Sequence, residues 1–248
     1  MTLFGQGGTI SFPTVENALY WATVGYARWW LAHDSGLRHH IVVENGKLTR
    51  ESLAEISLIY KVARGFPSSA DTSRVDAILD VVHKSAESWP ETLIDRAQFC
   101  VELADALQSK ELTRSHQISA ATKLMWFLRP KSWTVFDRFA SIGMGIGGNA
   151  SAKKRMPRFY KALAEAGFEK SELDLSYLIS QSDWNSLPAA RVIDTFLMRR
   201  SGFTYGLNST GAMRAFVDAL PPKSALSLHL LATEAQSKFG SSLLPLNG

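Results

Sequence analysis

Lys123 is the one charged residue in the run 118–128, Ile-Ser-Ala-Ala-Thr-Lys-Leu-Met-Trp-Phe-Leu. The run has helical composition and is apolar nearly all round, the pattern of a buried helix. Lysine is almost never fully buried without a partner. An ammonium in this place either snorkels out to water or is held for a chemical task. A second apolar run, 133–136, leads to Asp137, fourteen residues after the lysine. One lysine inside an apolar helix, followed by one aspartate past a short apolar segment, is a candidate amine nucleophile with a carboxylate partner.

The elements that must position this pair read as helical almost throughout. Periodicity and breakers place helices near 14–34, 50–64, 74–88, 91–109, 117–128, 150–166, 171–182, 187–201, 209–219 and 223–239. Helix 91–109 carries apolar residues at Leu93, Ile94, Ala97, Val101, Ala104 and Leu107, and Cys100 falls in its core pattern. A polar connection leads into the lysine helix, and another helix starts at Asp137, which suits an N-cap. One β signal stands apart: Ile41-Val42-Val43 before Asn45-Gly46 predicts a small hairpin. The stretches 65–73 and 143–149 read as a loop and a glycine-rich turn, and the end from 240 is expected to fray. The expected fold is all-α, two helical lobes around a central cleft with a helix–hairpin–helix-like unit. Its segments are an N-terminal lobe at 1–90, a core at 91–202 and C-terminal helices and tail at 203–248.

Composition narrows the function classes. The chain has 248 residues, 46% hydrophobic and 20% charged, which suits a globular protein with ample core. A single cysteine, Cys100, excludes an internal disulfide, a multi-cysteine zinc site and a four-cysteine iron–sulfur cluster. The opening residues 1–13 lack the basic and apolar regions of a secretory signal, and charged or polar residues interrupt 15–32. A cytoplasmic protein without a membrane span is the expectation. His33, His39 and His40 lack supporting carboxylate spacing, so no metal is expected. The G-x-G-x-x-G at 143–148 has no preceding strand, so no dinucleotide cofactor is expected either.

Net charge is +4 but unevenly placed. Residues 110–161 hold eleven bases and two acids, a local excess of nine, while the remainder holds 16 bases and 21 acids. The basic charge therefore gathers around Lys123 and Asp137, which suits a polyanion such as DNA. Lys153, Lys154, Arg155 and Arg158, with Lys161, form a phosphate-binding stripe or a solvated face.

The stretch Ser119-Ala120-Ala121-Thr122-Lys123-Leu124-Met125-Trp126-Phe127-Leu128-Arg129-Pro130 and its continuation to Asp137 resembles the core of helix–hairpin–helix DNA glycosylases. The pattern is similar to that of the bacterial branch like 8-oxoguanine DNA glycosylase, S-K-L-L-x-F-L-x-P-x-x-x-P-I-Y-D. Residues 191–202 also look like that branch's closing helix, so the resemblance covers roughly 91–202. It implies that Lys123 is the nucleophile and Asp137 the second catalytic group. The family's hairpin glycines are absent from 113–118, and Thr134 stands where a proline is common. Arg114, Ser115, His116 and Gln117 are the expected DNA contacts in their place.

Cleaving an N-glycosidic bond develops positive charge on the sugar, which a nearby carboxylate stabilises. The amine attacks only when deprotonated, and apolar surroundings favour that state. The target base must leave the stack for an aromatic pocket. Trp126, Trp133, Phe136 and Phe139 are the nearby candidates, each also suited to the core, with Trp29, Trp30 or Trp184 from flanking helices. The leading expectation is a DNA glycosylase with abasic-site lyase activity, in repair or against phages that carry modified bases. The alternatives are a non-catalytic nucleic-acid-binding helical module and a helical protein-interaction module.

Overall fold

A computed structural model describes residues 10–62, 65–148, 150–204 and 206–244. These residues form an all-α fold with no strand among them. Helices α1 (Ala18–Trp29) and α2 (Ser35–Val43) make one continuous run joined by a π-helical turn, Trp30–Asp34, which carries Asp34 into the interior. This run corrects the hairpin expected at 41–46. Leu37 and Ile41 are buried one turn apart while Val42 and Val43 face solvent, so the period is helical. Asn45 and Gly46 then end α2 with left-handed backbone (φ 57° and 77°), and the Gly46 N–H donates to the Ile41 carbonyl at 2.8 Å.

Local capping sets most other boundaries. Helix α3 (Arg50–Ile59) starts at a reciprocal cap in which Thr49 and Ser52 satisfy each other's backbone N–H. It ends before Lys61, whose backbone is left-handed (φ 54°); residues 63 and 64 of the expected helix lie outside the described residues. Asp71 caps α4 (Thr72–Ala86), and Thr92 caps α5 (Leu93–Ser109) by accepting from the Asp95 N–H at 3.1 Å. Helix α6 is Ile118–Leu128, α7 Arg138–Gly143, α8 Ala152–Glu165 and α9 Phe168–Ser180. Helices α10 (Ala189–Arg200), α11 (Thr210–Ala219) and α12 (Pro222–Phe239) complete the fold. No described helix is long and apolar enough to cross a membrane.

The buried side chains form one continuous cluster from Leu19 to Leu244, and the segments 1–90, 91–202 and 203–248 all contribute to it. Leu243 and Leu244 are buried, so the chain past Phe239 is docked where fraying was expected; residues 245–248 lie outside the described residues. Helix α1 lies across α10 and α12, α5 packs on α6 and α8, and α7 packs on α10. The α7–α10 crossing is at backbone contact: a Cβ on Gly143 would sit 1.9 Å from the Leu197 carbonyl oxygen. That approach fixes the short helix that begins at Asp137 against the helix that carries Arg191 and Asp194.

Candidate active site

Lys123 stays inside. It is 4% exposed, and α6 around it is buried at every position from Ala120 to Leu128. Its Nζ donates to the Ser119 hydroxyl at 2.6 Å, with the Ser119 carbonyl at 3.4 Å and the Phe136 carbonyl at 3.5 Å. The ammonium also faces the Tyr60 ring, 5.8 Å from its centroid. Burial pulls the Lys123 pKa down to about 8, with help from the Arg191 charge; Asp137 and Asp194 act in the opposite sense.

Asp137 is the N-cap of α7, and its carboxylate accepts from the Phe139 N–H at 2.7 Å. It is half-buried and acts on Lys123 through charge without closing an ion pair. The register between the two comes from α6 itself. The Phe136 N–H donates to the Thr122 hydroxyl at 3.1 Å, and the Ser119 hydroxyl donates to the Phe136 carbonyl at 3.1 Å. Both backbone polar groups of Phe136, the residue just before Asp137, are therefore tied to the turn that carries Lys123. Ser119 and Thr122 are not among the residues whose type alone points to chemistry. Their spacing, four residues and one residue before the lysine, is the only signal they offer, and helical polar residues are common.

The helix–connection–helix unit is present as α5, residues 110–117 and α6. Without glycines at 113–118, the turn uses Glu111 in the left-handed region (φ 56°), with the Leu112 N–H donating to the Leu107 carbonyl at 2.9 Å. The Arg114 N–H then docks on the Gly65 carbonyl at 3.0 Å. Arg114 and Ser115 are exposed, and Gln117 donates to the Ser115 hydroxyl at 2.6 Å. His116 Nε2 lies 2.6 Å from the Asp105 carboxylate, which also takes Lys153 at 3.0 Å. Asp105 thus links the connection to α8.

The basic stripe on α8 divides by facing. Lys154 and Arg158 are exposed, and Lys153 is held by Asp105. Arg155 turns inward over the Phe136 ring, 6.0 Å from its centroid, with a buried Nε that has no partner among the described residues.

Three of the four expected base-pocket aromatics are core residues instead. Trp126 and Trp133 are fully buried, and Phe136 nearly so. Trp133 packs on Trp89 and Tyr160, Trp126 on Phe127 and the Arg191 guanidinium, and Phe136 on Phe159. None offers a face to an extruded base in this conformation, because packing the lysine helix consumes them. Phe139 differs: it is half-buried beside Asp137 and stacks on Phe203 at 4.3 Å and 27°. Of the flanking tryptophans, Trp29 donates to Asp34 at 3.1 Å, Trp30 is in the core, and Trp184 donates to the Ser224 carbonyl at 3.3 Å. His33 packs on Trp29, while His40 meets the Thr49 hydroxyl at 3.1 Å.

Compared with protein-family models, with curated proteins and with solved structures, the chain matches none of them. The chemistry of the site therefore rests on its own geometry: a desolvated amine, a carboxylate registered to it through Phe136, and exposed cations on the adjoining connection and helix.

Proposed function

We propose that the protein is a DNA glycosylase with abasic-site lyase activity, acting on an altered base through Lys123 and Asp137. The observation that carries this reading is Lys123 itself. Burying an ammonium costs stability, and here the neutral amine becomes accessible near pH 8 within the electrostatic reach of Asp137. Attack by the Nζ lone pair on the anomeric carbon forms a C–N bond as the glycosidic bond breaks, and the base departs with that electron pair. Asp137 stabilises the sugar cation that develops between these events. The amine gives up one proton to the departing base and the other to the ring oxygen as the sugar ring opens, leaving a Schiff base from which β-elimination cuts the strand. Phe139 on Phe203 is the accessible stacking surface at Asp137, and Arg114, Lys154 and Arg158 supply phosphate contacts.

The test is borohydride trapping on oligonucleotides bearing an abasic site or a panel of altered bases. Wild type should form a reduced, covalent adduct; Lys123→Gln should form none while folding and binding DNA. Asp137→Asn retains a side chain that can cap α7; it should lower excision ~100-fold or more with DNA affinity near wild type. Equal trapping by wild type and Lys123→Gln would remove the lysine chemistry. DNA binding without any adduct would favour the non-catalytic nucleic-acid-binding module.

A further inference from the structure

Two cations share one aromatic ring. Tyr60, just past α3, faces Lys123 Nζ at 5.8 Å and the Arg191 guanidinium at 5.7 Å from its ring centroid. Its hydroxyl donates to Asp34 at 2.8 Å and accepts from Arg191 at 3.3 Å. Asp34 is further held by the Tyr26 hydroxyl at 2.9 Å and the Trp29 indole at 3.1 Å. One turn along α10, Arg191 pairs with Asp194, and its guanidinium also lies against the Tyr26 and Trp126 rings.

Stability does not account for this arrangement. Arg191 and Asp194 are both buried, and taking such a pair out of water costs more than it returns unless every lone pair and proton is satisfied. Here Asp194 Oδ1 and Arg191 Nε have no partner among the described residues. In general, well-packed apolar side chains of similar volume often replace a buried ion pair without loss of stability. What the position supplies is a guanidinium at the Tyr60 ring that Lys123 also faces, on a helix that meets α7, the helix of Asp137, at backbone contact through Gly143.

We propose that Arg191 and Asp194 are positioning residues for Lys123, acting in opposite directions through charge, with Tyr60 as the shared wall, to set the pH range in which the amine is a nucleophile. The proposal deepens the glycosylase reading and, for the nucleophile's task, rests on it. The charges that act on Lys123 are those of Asp137 at the start of α7 and of Arg191 and Asp194 on α10. Asp34 stands behind Tyr60. Burial pushes the Asp194 carboxyl up to about 6, so it is ionised where Lys123 gives up its proton near 8. Arg191 repels the ammonium and favours the free amine; Asp194 attracts it and favours the charged form.

The experiment is an NMR titration of the intact chain carrying 13C-labelled lysine, with the Lys123 signal assigned by its loss in Lys123→Gln. Asp194→Asn should move the Lys123 midpoint to lower pH and Arg191→Gln to higher pH, with the double variant between them. Single-turnover trapping at pH 7 should rise ~3-fold in the first and fall ~3-fold in the second. Asp194→Asn keeps the shape and an acceptor for Arg191, so it carries the test alone if Arg191→Gln does not fold. A lowered melting temperature with unmoved midpoints would mean a purely structural pair and overturn the proposal. Midpoints that move in a protein that never traps DNA would keep the charge coupling and remove the glycosylase reading. A protein that traps DNA with unmoved midpoints would do the reverse.

Discussion

The Ser119 hydroxyl accepts from Lys123 Nζ at 2.6 Å and in turn donates to the Phe136 carbonyl at 3.1 Å. With the two backbone carbonyls at 3.4 and 3.5 Å, the amine has three acceptors, which matches the three protons of an ammonium. The resting site is therefore built for the charged lysine, although burial works against that charge. A free amine has only two protons to place, so deprotonation loosens this hold and frees a lone pair.

Ser119→Ala removes both the acceptor for Lys123 and the tie to Phe136. It should cost about 1 kcal/mol of stability and lower the trapping rate ~10-fold, with DNA affinity unchanged. The Lys123 midpoint should also fall, because the charged form loses its best acceptor. Unfolding in urea and single-turnover trapping across pH check the three effects together.

The Lys123 pKa is depressed from an ordinary 10.5 to about 8. Below the folded value both states carry the proton, and the burial penalty is present in full. Between about 8 and 10.5 the unfolded chain binds more protons than the folded one, so this residue's contribution to stability rises with pH there. The rise should approach about 3 kcal/mol. Lys123→Met should lack it, which the difference between the wild-type and variant urea-unfolding curves at pH 7, 8, 9 and 10 will read. Parallel curves would show that Lys123 titrates normally.

Exposed and tethered cations should behave differently toward DNA. Lys154→Ala with Arg158→Ala should reduce the slope of log affinity against log salt by about 2. Asp105→Asn should strengthen binding, because it releases His116 and Lys153 from the carboxylate that both face. Titrations of duplex binding at several salt concentrations separate these cases. Unchanged slopes would move the DNA interface away from α8.

Gly143→Ala places a methyl group where the Leu197 carbonyl stands, 1.9 Å away. Backbone cannot yield as a flexible side chain does, so α7 must shift. The expected loss is about 3 kcal/mol, with trapping reduced in the remaining folded fraction because Asp137 moves with α7. Near-native stability in this variant would show that the α7–α10 crossing is loose.

Several features were legible in the residues alone. The helical period marked α5 and α6, and the lone charge in an apolar run marked Lys123. The aspartate ahead of a helix start was readable as a cap, and the charge count located the basic segment. These are local properties: a cap, a period or a composition is decided within a few residues of chain. The same local reading failed at 41–46, where Ile41-Val42-Val43 suits a strand until burial of Leu37 and Ile41 on one face selects the helix.

The site itself was decided by tertiary structure. Trp126, Trp133 and Phe136 have the composition of a base pocket, yet they are spent on core packing, while Phe139 gains a stacking partner 64 positions away in Phe203. Arg191 and Asp194 are two more polar residues on their own helix; only the tertiary fold brings the Arg191 guanidinium, with Asp194 as its buried partner, to the Tyr60 ring that Lys123 also faces. Sequence spacing fixes which residues share a face of one helix. Which faces meet, and which charges then leave water together, depends on how all the helices bury their apolar stripes at once.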